Sequence, residues 1–203
     1  MHAESTPFFT DANQLIGGGI PIDLGNHAVT RLVDWDADLD DDLLVGDGDG
    51  SVWIFINEPL QDGSAMFASG EKIQASGEDI NAGGGYTSAC YIDMTGDNLS
   101  DLVVAKADNT ISLYTDTGIA TTPTFGVPAL LPGAEGNNWL PANAGARVDC
   151  ADWNADGLVD IISGGFEGKF FVFLNVGTSA SAFFDTAQPI LGGRSGLQRS
   201  HRQ

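Results

Sequence analysis

Basic residues are scarce in this chain: eight Lys and Arg stand against 28 Asp and Glu in 203 residues, a formal net charge of −20. That balance repels phosphate backbones and anionic surfaces, so neither nucleic acid nor membrane insertion is expected. Histidine is nearly missing, with only His2, His27 and His201. Two of these lie near the ends and His27 precedes a strand, so no Ser/His/Asp set assembles. The glycine runs at 17–19 and 83–85 read as loops, not phosphate cradles. The chain is expected not to be an enzyme. No apolar run is long enough to cross a bilayer, and Met1-His-Ala-Glu-Ser-Thr lacks the basic and apolar parts of a signal peptide. An exported protein shorn of its leader would look the same.

What the chain has in excess is aspartate, placed periodically. Nine-residue acidic loops begin at Asp34, Asp93 and Asp152, 59 residues apart, and each runs into an apolar strand. They read Asp34-Trp-Asp-Ala-Asp-Leu-Asp-Asp-Asp42, Asp93-Met-Thr-Gly-Asp-Asn-Leu-Ser-Asp101 and Asp152-Trp-Asn-Ala-Asp-Gly-Leu-Val-Asp160. Twelve of the 28 acidic residues fall in these 27 positions, a crowding that calls for counter-charge. Three divalent cations would bring −20 to −14 where repulsion is densest.

Alternate positions of a tight loop can aim several hard oxygen donors at one calcium ion while a main-chain carbonyl supplies another. Positions one, three, five and nine provide the side chains: Asp34, Asp36, Asp38 and Asp42; Asp93, Thr95, Asp97 and Asp101; Asp152, Asn154, Asp156 and Asp160. Position seven, Asp40, Leu99 or Leu158, would give its carbonyl, which permits its varied side chain. An EF-hand needs a Glu at position twelve and flanking helices. Here position twelve is Val45, Val104 or Ser163, within β-prone runs. Magnesium suits these oxygen-rich loops less well, since its strict octahedral shell usually retains waters. By ligand set, the third site should be the best formed, since Gly157 relieves the turn at position six. The first is highly charged but has Leu39 there, and the second is weakened by Thr95.

The register continues past each loop. Leu43 aligns with Leu102 and Ile161, Val52 with Ile111 and Phe170, Ile54 with Leu113 and Val172, and Phe55 with Tyr114 and Phe173. Between the two apolar runs stand Gly50, Asn109 and Gly168, residues that tolerate positive φ, which predicts a hairpin turn in each copy. First strands are expected at 29–33, 87–92 and 146–150, and fourth strands at 66–73, 124–131 and 183–191. The fold class is all-β: three four-stranded antiparallel repeats of 59 residues, stacked face to face as propeller-type blades, plus an extra N-terminal strand. The third copy, Asp152-Trp-Asn-Ala-Asp-Gly-Leu-Val-Asp-Ile-Ile-Ser-Gly-Gly followed by Gly168-Lys-Phe-Phe-Val-Phe-Leu-Asn175, resembles the FG-GAP/VCBS repeat. That resemblance implies calcium-binding propeller blades like those of integrin α-subunits, found in secreted proteins with roles in adhesion or glycan binding.

The expected organisation is an N-terminal outer strand and connector at 1–27, blade 1 at 28–77, connector and blade 2 at 78–136, connector and blade 3 at 137–193, and a disordered tail at 194–203. Thr6-Pro-Phe-Phe through Leu15-Ile-Gly-Gly-Gly19 resembles the last strand of a blade, Ala182-Phe-Phe-Asp through Ile190-Leu-Gly-Gly193. Closed propellers typically use four to eight blades. A fragment of a longer propeller, a symmetric assembly and strand donation therefore all stay open, with self-association into a homo-oligomer or filament favoured.

The expected function is a secreted, calcium-stabilised binding or self-assembling module, with calcium structural. The alternatives are a glycan-binding lectin-like propeller or the non-catalytic part of a polysaccharide-degrading enzyme. Trp139, flanked by Asn137 and Asn138, is the candidate glycan contact, beside a plainer role in packing its connector. Trp35, Met94 and Trp153 share position two of the loops and are expected to pack between blades. Cys90 and Cys150 stand 60 residues apart, one more than the repeat, so they point to opposite faces. They either meet between blades two and three or diverge, and a disulfide is open.

Overall fold

A computed structural model describes residues 14–58, 66–134, 136, 147–164 and 168–191. Among these, every regular element is a β-strand. A short hairpin of β1 (Ile16–Gly17) and β2 (Ile20–Pro21) leads into sheet 1, formed by β3 (Val29–Val33), β4 (Asp42–Gly46), β5 (Val52–Phe55) and β6 (Glu71–Lys72). A second hairpin, β7 (Gln74–Ala75) and β8 (Glu78–Asp79), leads into sheet 2: β9 (Ser88–Ile92), β10 (Asp101–Ala105), β11 (Ile111–Tyr114) and β12 (Ala129–Leu130). Sheet 3 has β13 (Arg147–Ala151), β14 (Asp160–Gly164), β15 (Phe170–Phe173) and β16 (Gln188–Pro189). All three are antiparallel and strictly sequential in order. The acidic loops join first strand to second, and the predicted left-handed turns occur at Gly50, Asn109 and Gly168, with φ of 95°, 66° and 72°.

The fourth strands are shorter than expected. Each 66–73-type stretch contributes a single antiparallel bridge, at Phe67, Phe125 or Phe184, and then a two-residue strand. In sheet 1 the break has a steric reason: at Gly70 a Cβ would sit 2.4 Å from the Phe55 ring, so the chain closes on that ring where a side chain cannot follow. The glycine run at 17–19 also differs from the expected loop. It turns the β1–β2 hairpin through two left-handed glycines, Gly18 and Gly19, as Ser76 and Gly77 turn β7–β8. These hairpins tie the repeats together, because Gly18 and Ser76 donate N–H to the carbonyls of Phe67 and Phe125, as Ala134 in the connector after β12 does to that of Phe184. Thr6 to Phe9 of the expected extra strand, and the tail at 194–203, lie outside the described residues.

Each sheet has a forward face toward the next repeat and a rear face toward the previous one. Trp35, Leu44, Val52, Ile54 and Ile73 on the forward face of sheet 1 form one core layer with Leu102, Val104, Tyr114 and Phe125 on the rear of sheet 2. Met94, Val103, Ile111 and Leu131 of sheet 2 meet Ile161, Phe173 and Phe184 of sheet 3 in another. Strands β4 and β10 are buried at every residue, as central strands covered on both faces must be. A fully buried Leu, Ile or Phe side chain is worth about 1.5–3 kcal/mol, so these layers, not the exposed outer strands, hold the repeats in line. On the rear of sheet 1, Leu43, Val45, Phe55 and Phe67 pack under Ile22 and Leu24 of the N-terminal connector.

Candidate metal centre

A nine-residue loop that folds around its own carboxylates must bend sharply, and the bend falls at the same places in each copy. Position four (Ala37, Gly96, Ala155) and position six (Leu39, Asn98, Gly157) all adopt positive φ, between 59° and 87°. Position six was legible from Gly157; position four was not. A non-glycine residue there costs on the order of 1 kcal/mol, less for Asn, so the first loop, with Ala37 and Leu39, carries the most backbone strain. The second, with Gly96 and Asn98, carries the least, although its ligand set is the poorest.

Within the bend, the odd-numbered side chains gather loop amides. Asp34 Oδ1 accepts the Asp38 N–H at 3.1 Å, and Asp38 Oδ1 accepts that of Asp40 at 3.0 Å. Asp93 takes the N–H groups of Gly96, Asp97 and Asn98 at 2.6, 3.2 and 2.8 Å. Asp152 takes those of Asp156 and Gly157 at 3.1 and 2.9 Å. In the first loop a carboxylate oxygen from each of Asp34, Asp36 and Asp38 lies within 4.8 Å of the others. Like charges so close repel one another, and a bound cation would relieve that repulsion.

Position nine does something further. Asp42, Asp101 and Asp160 are buried, and each accepts one N–H at its own loop's position two and another fifteen residues ahead. Oδ2 holds Trp35, Met94 or Trp153 at 2.8–3.0 Å, and Oδ1 holds Asn57, Asp116 or Asn175 at 2.7–2.9 Å. Burial raises all three carboxyls above the ordinary aspartate range, and the donated N–H groups offset part of that rise. The donors at 57, 116 and 175 form a column that sequence reasoning missed. Asn57 Oδ1 accepts from Met66 N, Asp116 Oδ1 from Gly118 and Thr124, and Asn175 Oδ1 from Gly177 and Phe183. The available signal was an Asx residue recurring at the 59-residue period.

These residues fit a hard divalent cation. Buried Asp36 Oδ1 and Asp40 Oδ1 meet no hydrogen-bond partner, and both belong to an oxygen-rich loop. A position-nine oxygen holding one N–H keeps a lone pair, so the pin and a metal are compatible. Residues 93–163, from the second loop to the second strand of sheet 3, match the family model of the FG-GAP-like repeat. That stretch is similar to an FG-GAP-like repeat. No curated protein matches the chain. The first loop lies outside that stretch, and its bend and position-nine hydrogen bonds repeat those found within it.

Elsewhere, Trp35 packs between sheets against Tyr91 and Phe125, with centroids 4.7 and 5.8 Å away, and Met94 is buried likewise, whereas Trp153 is half-exposed. Cys90 and Cys150 meet between sheets 2 and 3 as free thiols; burial and the adjoining Cys90 push the Cys150 thiol well up. His27 stacks on Tyr86 at 4.3 Å, a packing role. Trp139, Asn137 and Asn138 lie outside the described residues.

Proposed function

We propose that this chain is a calcium-stabilised, extracellular structural module whose FG-GAP-like repeats form propeller-type blades and which acts by self-assembly. The observation that carries this reading is the recurrent bend of the acidic loops, with a buried oxygen at each of Asp36 and Asp40 that lacks a donor. Calcium would be held by Asp34, Asp36, Asp38 and Asp42, by Asp93, Thr95, Asp97 and Asp101, and by Asp152, Asn154, Asp156 and Asp160, with carbonyls from Asp40, Leu99 and Leu158. Bound there, it supplies positive charge where the carboxylates repel, and it fixes the corner between the first two strands of each blade. Binding the folded loops and not the unfolded chain gives about 2.7 kcal/mol per site at a hundredfold excess over Kd. For a chain of this size that corresponds to roughly 5–10 °C per site. Calorimetric titration should therefore find calcium binding, and a chelator should lower the melting temperature. An unchanged melt, with no metal found by elemental analysis, would overturn the assignment.

A glycan-binding reading has one feature in its favour. An open cleft of about 720 Å³ between sheets 1 and 2 presents the polar side chains of Glu71, Lys72, Gln74 and Asp79, which can hydrogen-bond sugar hydroxyls, above the buried Trp35 and Phe125. A glycan array in calcium, with Lys72→Ala as control, tests it; no binding on the array rejects it.

A further inference from the structure

Equivalent residues reveal what a forward face packs against. Trp35 and Met94 are 9% and 3% exposed because the rear of the following sheet lies on them, while their equivalent Trp153 is 45% exposed. Val52 and Ile111 are fully buried, and Phe170 in the same column is 56% exposed. Gly46 is so near the next sheet that a Cβ would come within 2.4 Å of the Thr87 carbonyl oxygen; at the equivalent Gly164 a Cβ would meet only the Phe170 ring. The forward face of sheet 3 is thus built like the two that are covered.

The rear of sheet 1 is covered over Leu43, Val45, Phe55 and Phe67 by the N-terminal connector, and it is open at its first strand and on that connector. Tyr91, which stacks on Trp35, has Leu32 as its equivalent, and Leu32 is 63% exposed. Ile80 and Ala82 are buried behind sheet 2, but Ile22 and Leu24, 58 residues earlier, are half-buried. We propose that the forward face of sheet 3, carrying Trp153 and Phe170, docks on the rear of sheet 1, carrying Leu32, Ile22 and Leu24, of a second copy of this chain. Continuity with the two internal interfaces selects the occupant: what covers a forward face in this chain, twice, is the rear face of the next repeat. Because the two faces differ, the contact is head to tail, and it yields a closed ring or an open filament according to its rotation. The inference rests on the self-assembling part of the function proposed above and specifies its interface.

The test uses the whole chain in calcium-containing buffer at physiological ionic strength, which screens the net charge. Sedimentation velocity should find a concentration-dependent assembly, and Trp153→Glu, Phe170→Glu and Leu32→Glu should each weaken it by about 30-fold or more. All three positions are exposed, and unchanged circular dichroism with retained calcium binding verifies folding. Phe170→Glu lies outside the metal loops, so its effect is separate from any loss of calcium. An equimolar mixture of Trp153→Glu and Leu32→Glu, each with one intact face, should recover a one-to-one dimer. An assembly insensitive to these substitutions overturns the interface but leaves self-assembly standing. Loss of assembly without recovery on mixing points to a symmetric face-to-face contact and overturns the head-to-tail arrangement. A wild-type chain that is monomeric throughout, whether its faces are covered by its own residues or by another protein, overturns both.

Discussion

Leu39 is the most costly residue of the first acidic loop and one of the least occupied. Its φ is 75° and its side chain is almost wholly in solvent, so it forces a left-handed backbone without packing in return. Leu39→Gly removes the steric cost and gives back part of it as unfolded-state entropy. We expect a net stabilisation of roughly 0.5–1 kcal/mol by urea denaturation; a destabilised variant would show that the exposed Leu has a partner. Asp97 and Asp101 divide the labour of the second loop. In chelator, Asp97→Ala should cost little, while Asp101→Asn sets an amide N–H against one of the backbone donors at Met94, Thr95 or Asp116 and should cost about 1–3 kcal/mol. Equal stability of the two variants in chelator would refute the structural role of position nine.

The same carboxyls set the sign of the pH dependence. The folded chain holds the protons of Asp42, Asp101 and Asp160 more tightly than the unfolded chain does, since burial raises their pKa above 3.8. Their contribution to stability is complete below 3.8 and is lost as pH rises through the folded values. The chelated protein should therefore melt at lower temperature as pH rises from about 4 towards neutrality, and calcium, which binds the ionised form, should reverse that slope. A chelated chain that grows more stable over this window would contradict the assignment of burial as the dominant cause.

At the level of strands and loops, what could be read from the sequence was whatever the repeat repeats. The 59-residue register placed the second and third strands and the left-handed turns at Gly50, Asn109 and Gly168, because apolar alternation and turn chemistry are local. The two-residue outer strands were not legible: their limits depend on how closely the chain approaches a ring such as Phe55. The connector hairpins were hidden because glycine-rich stretches look alike whether they pair or not. Close approach between sheets was hidden as well. Gly46, Ala105 and Gly164 share a column, yet only the structure shows Gly46 against the Thr87 backbone and Gly164 clear of other repeats. Gly46→Ala should accordingly destabilise by about 1–3 kcal/mol, as overpacking does, while Gly164→Ala should be near neutral under conditions where the chain is monomeric. Similar unfolding curves for the two would mean that the sheets slide apart freely.

In the whole molecule the decisive residue is one that breaks the repeat. The column of Arg31, Cys90 and Asp149 holds three unlike side chains, so periodicity gives no hint of its role. Strand β9 packs between β3 and β13, and Arg31 reaches from sheet 1 across that junction. Its Nε donates to the Ala89 carbonyl in sheet 2 at 2.9 Å, one Nη donates to Asp149 in sheet 3 at 2.6 Å, and the other to the Val148 carbonyl. The Asp149 pair is largely solvated and worth little alone. The carbonyl contacts matter more, because each gives a buried backbone acceptor a charged donor, and a planar fork can serve all three at once where a lysine ammonium cannot. Arg31→Lys should thus cost about 1–3 kcal/mol, and Asp149→Asn less than about 1 kcal/mol. The two core layers join sheet 1 to sheet 2 and sheet 2 to sheet 3, so the substitution should also reduce cooperativity. Scanning calorimetry in calcium should show one transition for the parent chain and a broadened or divided one for Arg31→Lys. A uniformly shifted single transition would assign the coupling to the two apolar layers alone and leave Arg31 as an ordinary surface contact.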